Sequence, residues 1–228
     1  MFLRVNMRAG WIAATVALLL ATGARADSIA QWDTTGYLGT EAVVTPTQMA
    51  AGVTADDIIR SSLLVGNAGA GNYSSAGWNN AGQYVQLGFT TTSEWDVTSL
   101  LLATRSSATG PGLMDVNASV DGGAFVTVAQ INQAPGANYI DQLLPLNLLV
   151  NSSLVIQFTP DNNTDAAGTG TIGVNGTWRI GDYENSSGAF SPITLSGSAV
   201  PEPSSIIVLG IGLAGVGVLT RVRRKPVA

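Results

Sequence analysis

Alternation with a period of two runs through the middle of the chain. Val85, Leu87 and Phe89 share one side of a segment whose other side carries Tyr84, Gln86 and Gly88. Val116, Ala118 and Val120 alternate with Asp115, Asn117 and Ser119, and Leu154, Ile156 and Phe158 with Val155, Gln157 and Thr159. Successive side chains of a strand point to opposite faces, so each run predicts a strand lying half-buried on a core. Asp121-Gly122-Gly123 sits between two apolar segments and predicts a tight hairpin, because glycine tolerates positive φ. Further strands are expected at 28–32, 62–66, 97–104, 125–131, 172–181 and 192–198. Helical signals are few. Thr54 ahead of Asp56-Asp57-Ile58-Ile59 predicts one turn, with the hydroxyl as cap and the acids near the positive helix end. Gly-rich 66–82 and Asn/Asp/Gly-rich 160–176 read as surface loops. Many short strands with frequent turns predict an all-β fold, an antiparallel β-sandwich with jelly-roll-like topology, over residues 27–199.

Two apolar runs depart from this pattern, one at each end. Arg4 and Arg8 precede Trp11-Ile12-Ala13-Ala14-Thr15-Val16-Ala17-Leu18-Leu19-Leu20, and Ala24-Arg25-Ala26 follows with small-x-small spacing. That order predicts a cleaved signal peptide over 1–26, recognised by an export translocon, with Ala24 and Ala26 flanking Arg25 at the cleavage site. Met1 and Met7 both fit as initiators. At the other end, Ser204 to Thr220 is apolar and uncharged, bounded by Val200-Pro201-Glu202-Pro203 and by Arg221, Arg223, Arg224 and Lys225. Its seventeen residues would make a transmembrane helix roughly 26 Å long, enough for a thin bilayer. The basic tail, 221–228, would stop transfer and stay cytoplasmic, leaving the body outside.

Charge sharpens the division. Only 11% of residues are charged, and seven of the ten Lys and Arg lie in the two ends. Between residues 27 and 200, Arg60, Arg105 and Arg179 face fourteen Asp and Glu, a net charge of −11. Such a body has no cationic patch to displace counterions from phosphates, which excludes nucleic acid as a partner.

Val200-Pro201-Glu202-Pro203, the apolar stretch and the Arg-rich end together resemble the PEP-CTERM sorting signal of Gram-negative bacteria. An ordinary tail anchor is the other reading of this segment. The resemblance assigns residues 200–228 to the signal, with the motif at 200–203 and the membrane segment at 204–220. It implies an exosortase-like processing enzyme, an intermediate anchored in the inner membrane, a mature form at the cell surface or in the extracellular matrix, and exopolysaccharide as partner. A looser resemblance extends into the body, through Ile29-Ala30-Gln31-Trp32, the segment Ser106 to Pro111, Ser119 to Phe125 and Trp178-Arg179-Ile180. Similar domains mostly lack an assigned activity.

The body offers little for catalysis. It has no His and no Cys, so the usual base near neutral pH, thiol nucleophiles and disulfides are absent. Asp56, Asp57, Glu94, Asp96, Asp182 and Glu184 read as capping or rim carboxylates, and a glycoside hydrolase is a distant alternative. Asp161, Asn163 and Asp165 carry oxygen at positions 1, 3 and 5 of a calcium-type loop. Ala166 and Ile172 then stand where the turn glycine and bidentate Glu belong, so an ordinary polar turn is the other reading. Tyr73, Trp78 and Tyr84 lie in or beside the first polar loop and could form an aromatic platform for a glycan. Alternatively Trp78 and Trp95 plug the core, where Trp32 and Trp178 are expected. The expected function is a non-enzymatic structural or adhesive component associated with exopolysaccharide. The alternative is a glycan-binding module, with calcium as its one conceivable cofactor.

Overall fold

A computed structural model describes residues 27–136, 138–184 and 189–201. These residues form strands without helices. In chain order the first are β1 (Asp27–Trp32), β2 (Val43–Val44), β3 (Gln48–Met49), β4 (Val53–Ala55), β5 (Ile58–Arg60), β6 (Val65–Gly66) and β7 (Asn72–Ala76). The longer strands follow: β8 (Val85–Thr91), β9 (Trp95–Ser106), β10 (Leu113–Val120), β11 (Val126–Asn132), β12 (Ile140–Val150) and β13 (Ser153–Pro160). The last are β14 (Thr177–Gly181), β15 (Tyr183–Glu184), β16 (Phe190–Ser191) and β17 (Ile193–Ala199).

All named strand pairs are antiparallel, and the strands build two main sheets. One is organised around β9. Along one flank β12 pairs with it from Ile140 opposite Thr104 to Val150 opposite Trp95, with one interruption between Pro145 and Leu148. Along the other, β17 pairs with the first half of β9 and β14 with the second. β1 and β3 extend the sheet beyond β17, and β7 and β6 extend it beyond β14. The other sheet runs β11-β10-β13-β8-β5-β2, with β4 also on β8. From β8 to β14 the chain repeatedly crosses between the sheets, so this is an antiparallel β-sandwich of jelly-roll-like type.

The period-two runs account for the core. Val85, Leu87 and Phe89, Val116 and Ala118, and Leu154, Ile156 and Phe158 are buried, with Val120 partly buried against them. Their partners from the β9 sheet include Trp32, Val97, Leu100, Leu102, Trp178 and Ile180. The outer face of the second sheet is a polar ladder. Gln157 donates to Gln86 (2.8 Å), Asn117 to Thr159 (2.9 Å) and Thr127 to Asn117 (2.7 Å). The hairpin at 121–123 forms as expected, with Asp121 at φ 52° and Gly122 at φ 73°.

Four expectations change. Residues 54–59 form no helical turn: β4 and β5, on either side of Asp56-Asp57, both pair with β8, and the Asp56 amide donates to the Gly88 carbonyl (2.9 Å). Non-local pairing here overrides a weak local cap. The strand expected at 62–66 is reduced to Val65–Gly66, and the one at 172–181 begins only at Thr177. The loop expected at 66–82 contains β7, all of whose residues are buried. The chain also forms β12, an eleven-residue strand absent from the sequence reading. Its pattern is broken by Pro145 and by a bulge between Pro145 and Leu148, where Asn147 has φ 51°. Both features suit an edge strand, since Pro lacks a ladder donor and a bulge discourages further pairing.

Candidate functional site

Strand registers assign the two ends of the sandwich. Asp27 pairs with Gly197, and Ala199 with Trp95, so the first and last described strands start and stop at one end. Val200 extends this anchoring, its amide donating to the Glu94 carbonyl (2.8 Å), and Pro201 is exposed. The opposite end lies beyond Ser106 of β9, a strand about 36 Å long at the usual rise. There the segments before β8 and after β13 come together, because β8 and β13 are neighbours with Val85 opposite Phe158.

These two segments enclose a groove of about 370 Å³. Its floor is apolar, made by Trp78, Pro160 and Ile172. Its walls carry the amide side chains of Asn79, Asn80, Gln83, Asn162 and Asn163 with the Thr159 hydroxyl, and no charged residue is among its described lining. Gln83 is fixed: its Oε1 accepts the Asn80 amide (3.0 Å) and its Nε2 donates to the Gly77 carbonyl. Asn162 is half-committed, its Oδ1 accepting the Thr164 amide (2.8 Å) and its Nδ2 donating to Asp161 (2.8 Å). The exposed side-chain amides of Asn79, Asn80 and Asn163 make no hydrogen bond to another described residue. Three free amide heads above a firm apolar floor can exchange hydrogen bonds with a neutral, hydroxyl-rich ligand.

The aromatic platform expected from the sequence is corrected here. Trp78 is 1% exposed and stands edge-on to Trp178, ring centroids 5.7 Å apart, while Phe158 lies 5.3 Å from Trp178. Its Nε1 donates to the Ser75 carbonyl (2.9 Å). Trp78 therefore plugs the core and only underlies the groove. Tyr73 is equally buried, in β7, with its hydroxyl on the Ala42 carbonyl (2.8 Å) and the Arg60 guanidinium 4.0 Å from its ring centroid. Burial pushes its phenol up, with Arg60 opposing. Tyr84 is half-buried and does not line the groove. Large rings close to glycines were legible as such, but their inward direction is set by the strands around them. Trp32, Trp95 and Trp178 are core residues.

The calcium-type residues occupy the same loop in different roles. Asp165 is buried, and its Oδ1 accepts the amides of Thr169 (3.0 Å) and Gly170 (3.2 Å), bracing its own turn. Asp161 accepts from Asn162, and Asn163 joins the groove. Among the described residues, no three His, Cys, Asp or Glu side chains gather in a way that could hold a metal. The residues missed from the sequence are Asn79, Asn80 and Asn162, ordinary loop amides whose convergence depends on the β8–β13 pairing. Asp56 and Asp57 do not cap a helix. The Asp56 carbonyl accepts from Trp32 Nε1 (2.8 Å), and burial raises its carboxyl, helped by the charge of Asp57.

Ala24, Ala26, Glu202, Pro203, the segment 204–220 and Arg221, Arg223, Arg224 and Lys225 lie outside the described residues. Among the described residues no helix is long and apolar enough to cross a membrane.

Comparison with known proteins places the sorting segment. Residues 199–225 match the family model of the PEP-CTERM protein-sorting motif. This motif marks the chain as an exported protein processed at the membrane and implies exosortase as the processing enzyme. No curated protein matches the chain. Among solved structures, a carbohydrate-binding module of family 29 is 12% identical, with a TM-score of 0.40 over 75% of this chain and 89% of that one. A mutant of a family 29 module gives 12%, a TM-score of 0.41 and coverage of 75% and 92%. Another family 29 mutant, complexed with mannohexaose, gives 13%, a TM-score of 0.37 and coverage of 75% and 92%. At these scores the likeness carries no weight for site or ligand, and the sandwich rests on its own strand pairing.

Proposed function

We propose that this protein is a non-enzymatic component of the cell surface or extracellular matrix that binds a neutral glycan in the amide-lined groove at the far end of its sandwich. On this reading it enters the export translocon by its amino end and is held in the inner membrane by residues 204–220. An exosortase-like enzyme then processes it at or near Pro201-Glu202-Pro203. The observation that carries the glycan reading is the groove itself: free amides, one hydroxyl and an apolar floor, with no charge among the described lining. Sugar hydroxyls both donate and accept, and side-chain amides match them in both directions. The net charge of −11 over residues 27–200 argues in the same sense, because it disfavours anionic polymers. An adhesive or structural role in exopolysaccharide follows if the groove grips repeating units of the polymer.

Two experiments test the two halves. Replacing Pro201, Glu202 and Pro203 with alanine should leave full-length protein in the inner-membrane fraction; unchanged release would defeat the sorting half. A glycan array probed with the wild-type protein should show neutral polysaccharides as its strongest signals. A blank array would defeat the binding half.

A further inference from the structure

A second cleft, of about 270 Å³, lies on the flank of the β9 sheet near the junction where β14 ends and β17 begins. Its chemistry differs from that of the groove. Tyr139 and Phe190 are two aromatic residues of its lining, and Asp182 supplies a carboxylate. Phe190 is 74% exposed, the most exposed large apolar residue among those described. A ligand packed on this ring would remove its apolar area from water. Asp182 sits beside Asp33, and no Lys or Arg is among the described lining.

The carboxylate is held firmly. Asp182 Oδ1 accepts the Thr34 amide (2.9 Å) and the Thr34 hydroxyl (2.9 Å), and Oδ2 accepts the Thr35 hydroxyl (3.0 Å). Asp33 accepts the Thr35 amide (2.7 Å), so both acids are tied to the same turn. Thr35, Gly36, Ala70 and Gly71 complete the lining, and a Cβ built on Gly36 or Gly71 would meet nothing within 4 Å. Two cations act on Tyr139 from outside the lining, Arg105, which donates to the Gly136 carbonyl (2.9 Å), and Arg179, which donates to the Ser74 hydroxyl (3.1 Å). Both keep their charge, as guanidinium groups do, and the two carboxylates Asp182 and Asp33 balance them.

We propose that this cleft binds one amino-sugar unit carrying a free ammonium, with Tyr139 and Phe190 against the ring and Asp182, backed by Asp33, facing the cation. Aromatic faces attract cations and pack against sugar rings, while paired carboxylates favour an ammonium over a hydroxyl. The site is separate from the groove and does not depend on it.

Titration of the detergent-solubilised full chain with glucosamine at about pH 6, where the amine is protonated, tests the assignment directly. Saturable binding is expected, with N-acetylglucosamine and glucose about tenfold weaker. Asp182→Asn should weaken glucosamine about tenfold, and Phe190→Ala, which removes an exposed ring without touching the core, about threefold. Asn79→Ala and Asn163→Ala should leave it unchanged, which separates this cleft from the groove. Equal affinity for N-acetylglucosamine, absence of glucosamine binding, or undiminished binding by the Phe190→Ala protein would each overturn the proposal, whether or not Asp182→Asn folds.

Discussion

At the end where both termini leave the sheets, connections are short and bonded to themselves. Asp121 alone receives the Asn151 side-chain amide (2.9 Å), the Ser152 amide (2.7 Å) and hydroxyl (3.0 Å), and the Ser153 amide (3.1 Å). At the opposite end, residues 161–176 run between β13 and β14 with nothing more regular than isolated bridges, and exposed amides are left without partners. One end spends its polar groups on holding the fold, while the other holds them out to solvent. The body is thus fastened near its sorting motif and open at the far end.

The sharpest way to break this comparison is to cut beneath the open end. Trp78→Ala should destabilise the fold by about 3–5 kcal/mol, because it empties a core position against Trp178. Denaturant unfolding measures this. A loss under about 1 kcal/mol would mean that Trp78 belongs to the groove and not to the core.

A smaller effect is expected at the fastened end. Hydrogen bonds from Asn151, Ser152 and Ser153 hold the Asp121 carboxyl well below its usual range. A depressed carboxylate adds stability that is present above its unfolded value, about pH 3.9, and is lost as pH falls toward the folded value. Asp121→Asn should therefore lower the Tm by about 2–4 °C at neutral pH. The gap between wild type and variant should narrow below about pH 4. A gap that widens on acidification would contradict the sign. Asp56 and Asp182, raised by burial, are common to both proteins and cancel in the difference.

The smallest expected effect concerns Asp165. Because its carboxylate already braces the 165–170 turn, EDTA should leave the Tm unmoved. A fall of more than about 2 °C would restore a calcium site among Asp161, Asn163 and Asp165, since a metal bound only to the folded state stabilises it.

What could be read from the sequence followed from local physics. Period-two alternation at Val85–Phe89, Val116–Val120 and Leu154–Phe158 located central strands, and Asp121-Gly122 located a turn whose φ values demand such residues. β12 escaped because Pro145 and the bulge at Asn147 break its period, and an edge strand needs no clean alternation. Residues 54–59 misled because a capping pattern is cheap to write and strand pairing on β8 outweighs it. At the site, segments 77–83 and 160–163 were legible as polar loops. Their meeting was not, since it depends on two strands about seventy residues apart in the chain becoming neighbours. The directions of Tyr73 and Trp78 were undecidable for the same reason.

Calorimetric titration of the strongest neutral polysaccharide from the array against wild type and an Asn79→Ala/Asn163→Ala double variant tests the central claim most directly. The account predicts an affinity about ten- to a hundredfold weaker for the double variant, at roughly 1 kcal/mol for each lost amide, with the Tm unchanged. Equal affinities for the two proteins would contradict it.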